Sequence, residues 1–411
     1  MEMDDVFFNA KLNISAAEGD ETRGLVFDRK PLVTNPCMTV AKVPRTQKDM
    51  SLYVFYSHCF LRQGEKPLNK RGWVFQERIL SPRIIHFSED QVFWECWSLR
   101  ASEILPHGAP NPTLTDQNKR IGIDSTTFDS QEIRSRWCEL VGTYSSTSLS
   151  FVNDHLLGIS AVAKRFCTAM RVQPSEYLAG MWKNDLPLSM IWHQDSIPGR
   201  EGPAKHEPDL EMEHAPSWSW ASIMASTTIA DLPSVLASST IAESSSLVAT
   251  TSVINIEIRR RSRNFFDGTD LCRLRLRGPL CKFRRHLQDH IPWIQIAEDT
   301  PFQEVDHLEH WRLRFILIFW DTARSFASEE YFLLHIATIA TDEEPEEGHG
   351  VILLRTAERG TYKRVGAFWL PNATKYFGSK LEDAFNGDLK TLDTEDYLEI
   401  DSDGKYTIDV I

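Results

Sequence analysis

Glu77 is the carboxylate that the sequence places best for chemistry. It lies in residues 71–96, RGWVFQERILSPRIIHFSEDQVFWEC, beside Gln76 and Arg78 and near Arg71 and Arg83. Charge-assisted hydrogen bonds from arginines would hold such a carboxylate ionised and fixed. An ionised carboxylate of that kind can stabilise a developing cation. Arginine neighbours also depress a carboxylate pKa, which suits an electrostatic role more than general-acid work. The favoured reading is the plainer one, a structural ion pair that locks a helix to the hairpin after it. Structural ion-pair networks perturb carboxylates as readily as active sites do.

Other reactive residue types are spread more thinly. His286 and His290 stand four apart, and His307 and His310 three apart, so either pair could share a helix face. Neither H-E-x-x-H nor a cysteine set accompanies them, and solvated or core-edge histidines fit better than metal ligands. His86 and His155 have no serine or cysteine in a nucleophile-elbow context to serve with them. Cys96 follows Trp94-Glu95 on an expected strand and reads as a small buried apolar residue. The sequence has no G-x-G-x-x-G and no G-x-x-x-x-G-K-[ST] loop. No metal and no cofactor is expected. Twelve tryptophans could furnish sugar-binding platforms. Core packing is the better account, because Trp73, Trp137 and Trp182 fall on helical apolar faces and Trp218 and Trp220 share one expected strand face.

The elements that must position these residues follow from pattern and turn chemistry. Trp73, Phe75, Ile79 and Leu80 make a rough helical stripe. Pro82 cannot continue a helix and pushes Ser81 out of the helical region. Ile84–Phe87 and Val92–Trp94 read as two strands joined by the turn Ser88-Glu89-Asp90. A strand is expected at Leu52–Tyr56 and a long loop over 105–130. Ile133, Trp137, Leu140, Val141 and Tyr144 predict a helix. A second should carry Leu157, Ile159, Val162, Ala163 and Phe166, capped by Asn153 or Asp154. A third should start near Ser175 and run through Leu178 and Trp182. Ser217-Trp218-Ser219-Trp220 alternates as a strand should. Residues 225–250 are rich in Ser, Thr and Ala. Strands are expected at 251–258, 271–277, 313–320, 331–338, 350–355 and 362–369, then a charged tail over 371–411 with a short helix at Leu381–Ala384. The fold class expected is α+β: a helix–hairpin segment, a helical middle and a β-rich C-terminal region.

The segment 71–96 also resembles the RGW-x-x-QER-x-LSPR signature of the heterokaryon-incompatibility (HET) domain proteins of filamentous fungi. Arg71, Gly72, Trp73, Gln76, Glu77, Arg78, Leu80, Ser81 and Arg83 fall in register, with Trp94, Glu95 and Cys96 closing the block. Phe8-Asn9-Ala10 with Leu12, Ile14 and Ser15 is similar to a "Y-x-NA-x-LTISA" block, and Gly24–Arg29 to the "GLFFDR" after it. Trp137, Val141 and Tyr144-Ser145, then Asp154-His155-Leu156 with Ile159-Ser160, follow in order. So do Tyr177–Trp182 and the PSWSWAS run that holds Pro216, Trp218 and Trp220. The resemblance covers most of residues 6–225 and is weaker beyond, at Leu276-Arg277-Gly278 and Arg364-Val365-Gly366. Opening blocks such as "YVALSYVWG" and "YLWIDSLCIIQ" do not occur, so the resemblance implies a HET protein without its front half.

The resemblance implies a role in fungal non-self recognition and programmed cell death, and a distant kinship to TIR-type α/β domains, some of which cleave NAD. In that setting Glu77 is the candidate catalytic residue. The missing blocks make a partner-binding or regulatory role the leading expectation, the partner being another HET protein or a sensor. NAD cleavage is the alternative and sugar binding the remote one. Residues 1–104 would be the back part of the HET domain, 105–130 a linker and 131–224 a helical companion region. Residues 225–250 would be a loop and 251–370 the β-rich region. Without a front half, residues 6–16 and 52–56 would present strand edges or apolar surface and make the isolated chain poorly soluble.

Charge and cysteine usage bound the class. A net charge of −13 argues against a general nucleic-acid binder. Arg259-Arg260-Arg261 with Arg263 reads as a solvated charge run beside a strand. Seven scattered cysteines without C-x-x-C spacing fit reduced thiols in the cytoplasm. The longest apolar run, Phe315–Trp320, is far too short to span a bilayer.

Overall fold

A computed structural model describes residues 3–18, 25, 37–42, 49–54, 66–89, 91–108, 130–194, 215–223, 227–228, 246–284, 293–295, 315–321, 330–340, 347–371, 389–390 and 392–411. The two histidine pairs, the 381–384 helix, the Gly24–Arg29 block apart from residue 25, and most of the expected loops lie outside these residues. The fold is α+β. The chain divides into two compact units, residues 1–127 with 147–169, and residues 128–146 with 170–411. The helical middle is divided between the two units. An amphipathic helix must bury its stripe against a neighbour, and the two long helices here belong to different units.

The first unit holds helix α1 (Met3–Phe8), strands β1 (Asn13–Ala16), β2 (Cys37–Lys42) and β3 (Asp49–Val54), and helix α2 (Gly72–Leu80). Strands β4 (Arg83–Phe87), β5 (Val92–Cys96) and β6 (Arg100–Ser102) follow. They pair in the order β1-β4-β5-β6, with β1 parallel to β4 and the rest antiparallel, while β2 and β3 form a separate hairpin. Alternation sorts this sheet into two faces. Ile84, His86, Phe93 and Glu95 are buried, whereas Ile85, Phe87, Val92 and Trp94 stay half-buried. Buried side chains of α2 (Phe75, Ile79, Leu80) supply much of the remaining core, with Leu156, Ile159, Val162 and Phe166 from the segment that ends in helix α4.

The second unit begins with helix α3 (Ser130–Ser145), which precedes α4 (Ser160–Ala169) in the chain. After α4 come the two-residue strands β7 (Tyr177–Leu178), β8 (Met181–Trp182), β9 (His193–Gln194) and β10 (Thr227–Thr228). The expected third helix is thus a tight hairpin, β7 with β8. Ala179 and Gly180 take φ of 47° and 96°, which no helix admits. The Trp220 indole lies against Gly180, 2.8 Å from where a Cβ would stand, so the close approach also demands glycine.

The rest of the unit is one large sheet. Its strands are β11 (Ser246–Ala249), β12 (Ser252–Arg260), β13 (Thr269–Gly278), β14 (Leu280–Arg284), β15 (Trp293–Gln295) and β16 (Phe315–Trp320). Then follow β17 (Glu330–Ala340), β18 (Glu347–Arg355), β19 (Thr361–Pro371), β20 (Leu389–Lys390), β21 (Glu399–Ile400) and β22 (Tyr406–Val410). The main path runs β12-β13-β22-β19-β18-β17-β14-β20, with β11 on β17, β15 on β16, β16 on β19 and β21 on β22. All six strands expected between 251 and 370 are present.

His335 on β17 gives this sheet a pH dependence. It is 2% exposed, and its Nε2 lies 3.0 Å from the Ala337 carbonyl and 3.2 Å from the Thr338 hydroxyl. Burial pushes the imidazole down to about 4; the Ala337 carbonyl opposes that shift and His349 adds to it. Between pH 4 and 6.5 the unfolded imidazole binds a proton that the folded one refuses. The stability is therefore complete above pH 6.5 and falls as pH drops toward 4, by roughly 3 kcal/mol. Urea unfolding across that window should show this slope, and His335→Gln should flatten it. An unchanged slope in the variant would remove His335 as its source.

Candidate functional site

The residues of the 71–96 signature are brought together by α2 and the β4–β5 hairpin. Gly72 opens the helix where the segment 147–149 crosses it. Gly72 N donates to Ser148 O at 2.8 Å, and a Cβ on Gly72 would stand 2.5 Å from Leu149 Cδ2. At the other end both the amide and the hydroxyl of Ser81 donate to Glu77 O, at 3.2 and 2.7 Å. Asn13 Nδ2 donates to the same hydroxyl at 3.1 Å and ties β1 to the helix end. Pro82 follows, so the helix stops where the sequence predicts. Leu80 and Ser81 are buried, Trp73 is half-buried and Arg71 and Arg83 are exposed. Gln76 is buried, and its Oε1 has no hydrogen-bond partner among the described residues.

The charged centre is Glu95, not Glu77. Arg78 donates from Nε and Nη2 to the two Glu95 oxygens at 2.9 and 3.1 Å. Arg100 Nη2 bonds Oε1 from the next strand, and His86 Nε2 lies 2.9 Å from Oε2. The Glu95 side chain is 4% exposed, His86 2%, Arg78 11% and Arg100 13%. One carboxylate is thus clamped by two guanidiniums and an imidazole under the helix. The hairpin register explains the meeting. Glu95 faces Ile84 on β4 and Arg100 on β6, with His86 two residues along on the same buried face.

The expected Glu77 cluster does not form. Arg78 points its guanidinium at Glu95, because successive helix residues project about 100° apart and do not face each other. Glu77 is half-buried, and its carboxyl lies above the ordinary carboxylate range, since burial outweighs the nearby Arg71. The expected depression of that carboxyl is therefore reversed. Cys96 is half-buried rather than buried. Burial would raise its thiol, but hydrogen bonds from Ser98 and from the Trp94–Leu99 turn hold it below its ordinary value. Arg100 is the member that sequence reading passed over. Its signal was a glutamate and an arginine flanking a short turn, Trp97-Ser98-Leu99.

In the second unit the PSWSWAS run is not a strand. Ser219 caps a 3-10 turn (Trp220–Ser222) by accepting from Ala221 N at 3.0 Å, and Pro216 is buried. Trp218 O accepts from Trp192 Nε1, and Trp220 Nε1 donates to Gly180 O, each at 2.9 Å. Trp182 packs edge-on against Trp137 at 5.3 Å. Trp137, Trp182, Trp192, Trp218 and Trp220 are buried, as core packing requires, whereas Trp73 is half-buried.

Among the described residues no group of three or more His, Cys, Asp or Glu side chains could hold a metal ion. No described helix is long and apolar enough to cross a membrane. No family model, curated protein or solved structure matches the chain.

Proposed function

We propose that this chain is a heterokaryon-incompatibility-type protein of fungal non-self recognition and programmed cell death, working in the cytoplasm by binding a protein partner. The resemblance of residues 71–96 to the HET signature motivates the family. The closed Glu95 cluster supports binding over catalysis. The strongest charged constellation of the motif is spent on internal bonds, with its carboxylate sealed from any substrate. In the same unit, apolar side chains meet solvent: Val6 is 47% exposed, Leu12 44% and Ile14, on β1, the outermost described strand of its sheet, 59%. Such residues suit a partner surface. The partner would be another HET protein or a sensor.

NAD cleavage is the second reading, because Glu77 is the motif carboxylate that is only half-buried. In that reading Glu77 would stabilise the ribosyl cation as the nicotinamide bond breaks. Sugar binding is less well supported, since Trp182, Trp218 and Trp220 point into the core.

Two assays on the purified chain separate the readings. Incubation with NAD should release no more nicotinamide than buffer, and an intact HET-domain protein co-expressed with the chain should co-purify with it. Ile14→Asp should weaken that co-purification at least tenfold. Turnover that disappears in Glu77→Gln would overturn the binding reading.

A further inference from the structure

Among the described strands of the large sheet, β12 is outermost. Strand β12 pairs with β13 on one side and with no described strand on the other. It therefore offers a row of backbone N–H and C=O groups to whatever strand approaches, the usual hazard of an edge. Residues 252–256 of β12, SVINI, contain no charge, no proline and no glycine. Such a composition favours strand addition. Ile254, at the bulge between Val253 and Asn255, is 47% exposed.

The two faces of β12 say which strand fits. On one face Ile256 and Ile258 stand opposite Leu274 and Cys272. The β13 residues are buried while the β12 isoleucines are only half so, and the apolar layer thins out at the edge. On the other face Glu257 and Arg259 stand two residues apart, opposite Arg273 and Leu271. Arg273 is already held by Asp409 and Glu358. Neither Glu257 nor Arg259 has an ion pair within 4 Å among the described residues, although Glu257 lies close enough to Arg275 to support that guanidinium's charge. This face of β12 thus carries one charge of each sign, spaced so that a reversed copy of itself matches them, while Arg260, on the other face, already bonds Ser175 O and lies over the Phe265 ring.

We propose that β12 pairs antiparallel with β12 of a second copy of this chain, centred on Ile258. In that register Glu257 of each copy faces Arg259 of the other, and Ile258 meets Ile258 on the apolar face. Charge selects the register. Centring on residue 257 would set glutamate against glutamate, and centring on 259 arginine against arginine. Centring between two residues would turn the isoleucine face of one copy toward the charged face of the other. The contact is two-fold and self-complementary, so it closes at two copies.

Sedimentation equilibrium on the full chain tests this. The weight-average mass should climb with concentration from 47.1 kDa toward twice that value and stop there. Glu257→Arg and Arg259→Glu should each weaken self-association by about tenfold or more, because both facing pairs become like-charged. Mixed in equal amounts, the two variants should associate with each other, since every facing pair is again of unlike sign. Circular dichroism on each variant confirms that the sheet is intact. A wild-type mass fixed at one copy, growth beyond two copies, or variants that fail to pair when mixed would each overturn the proposal.

Discussion

Truncating Asp321 to alanine is expected to destabilise the second unit by about 3–5 kcal/mol, the usual cost of orphaning one member of a buried ion pair. The partner, Arg364 on β19, has a side chain with no exposed surface. Its Nη1 lies 2.6 Å from both Asp321 oxygens, its Nε donates to Met190 O at 3.0 Å, and its Nη2 donates to Trp192 O. The guanidinium also stacks on the Trp192 ring, 3.5 Å from its centroid. Burial raises the Asp321 carboxyl and lowers the Arg364 guanidinium, while each charge supports the other. We assign both groups as ionised at neutral pH, because the short two-pronged contact and the carbonyl acceptors satisfy the guanidinium only in that state. Without Asp321 the positive charge stays inside with carbonyls alone for company. Arg364→Met should cost a similar amount. The double variant Asp321→Leu with Arg364→Met should cost clearly less than the two singles added together, since no charge then remains buried. Urea unfolding followed by tryptophan emission would report this, because Trp192, Trp218 and Trp220 all lie in this unit. Simple additivity in that cycle would mean that the pair is not coupled.

That pair shows where the sequence was silent. Asp321 and Arg364 are far apart in the chain, and each reads as a charge that merely ends or interrupts an apolar strand. Only the pairing of β16 with β19 brings them together. The strands themselves were legible, because β-branched and apolar runs bounded by polar turns leave few alternatives. The signature helix and hairpin were legible for the same reason, with Pro82 fixing the break. PSWSWAS misled because alternating Ser and Trp satisfies the strand pattern. Yet Ser219 bonds its own backbone as a cap, and each indole or carbonyl finds a separate buried partner. The hairpin Tyr177–Trp182 misled because helical spacing of Leu178 and Trp182 outweighed Gly180, whose positive φ was the better clue. In the signature, the arginines at 71, 78 and 83 suggested a cluster on Glu77, whereas the ion pair that joins helix to hairpin is Arg78 with Glu95, because neighbours on a helix diverge and partners across a hairpin do not.

That last point carries the second large effect. Glu95→Ala is expected to cost the first unit about 3–5 kcal/mol, because it removes the buried carboxylate that Arg78, Arg100 and His86 share. Glu95→Gln should fall between that variant and the wild type. It keeps one acceptor oxygen but puts an amide donor against arginine donors, and it removes the charge. Glu77→Gln should cost under about 1 kcal/mol, since Glu77 is half-buried and its carboxyl already titrates above the ordinary range. The order of the two glutamates is therefore the reverse of their prominence in the sequence. Hydrogen exchange on α2, β4 and β5 reads it directly. Protection there should fall in Glu95→Ala and persist in Glu77→Gln, with the second unit unchanged in both. If Glu77→Gln opened the hairpin while Glu95→Ala did not, the Glu95 cluster would not be what holds this segment. The case for binding over catalysis would weaken with it, because that case rests on Arg78 and Glu95 being engaged with each other within the fold.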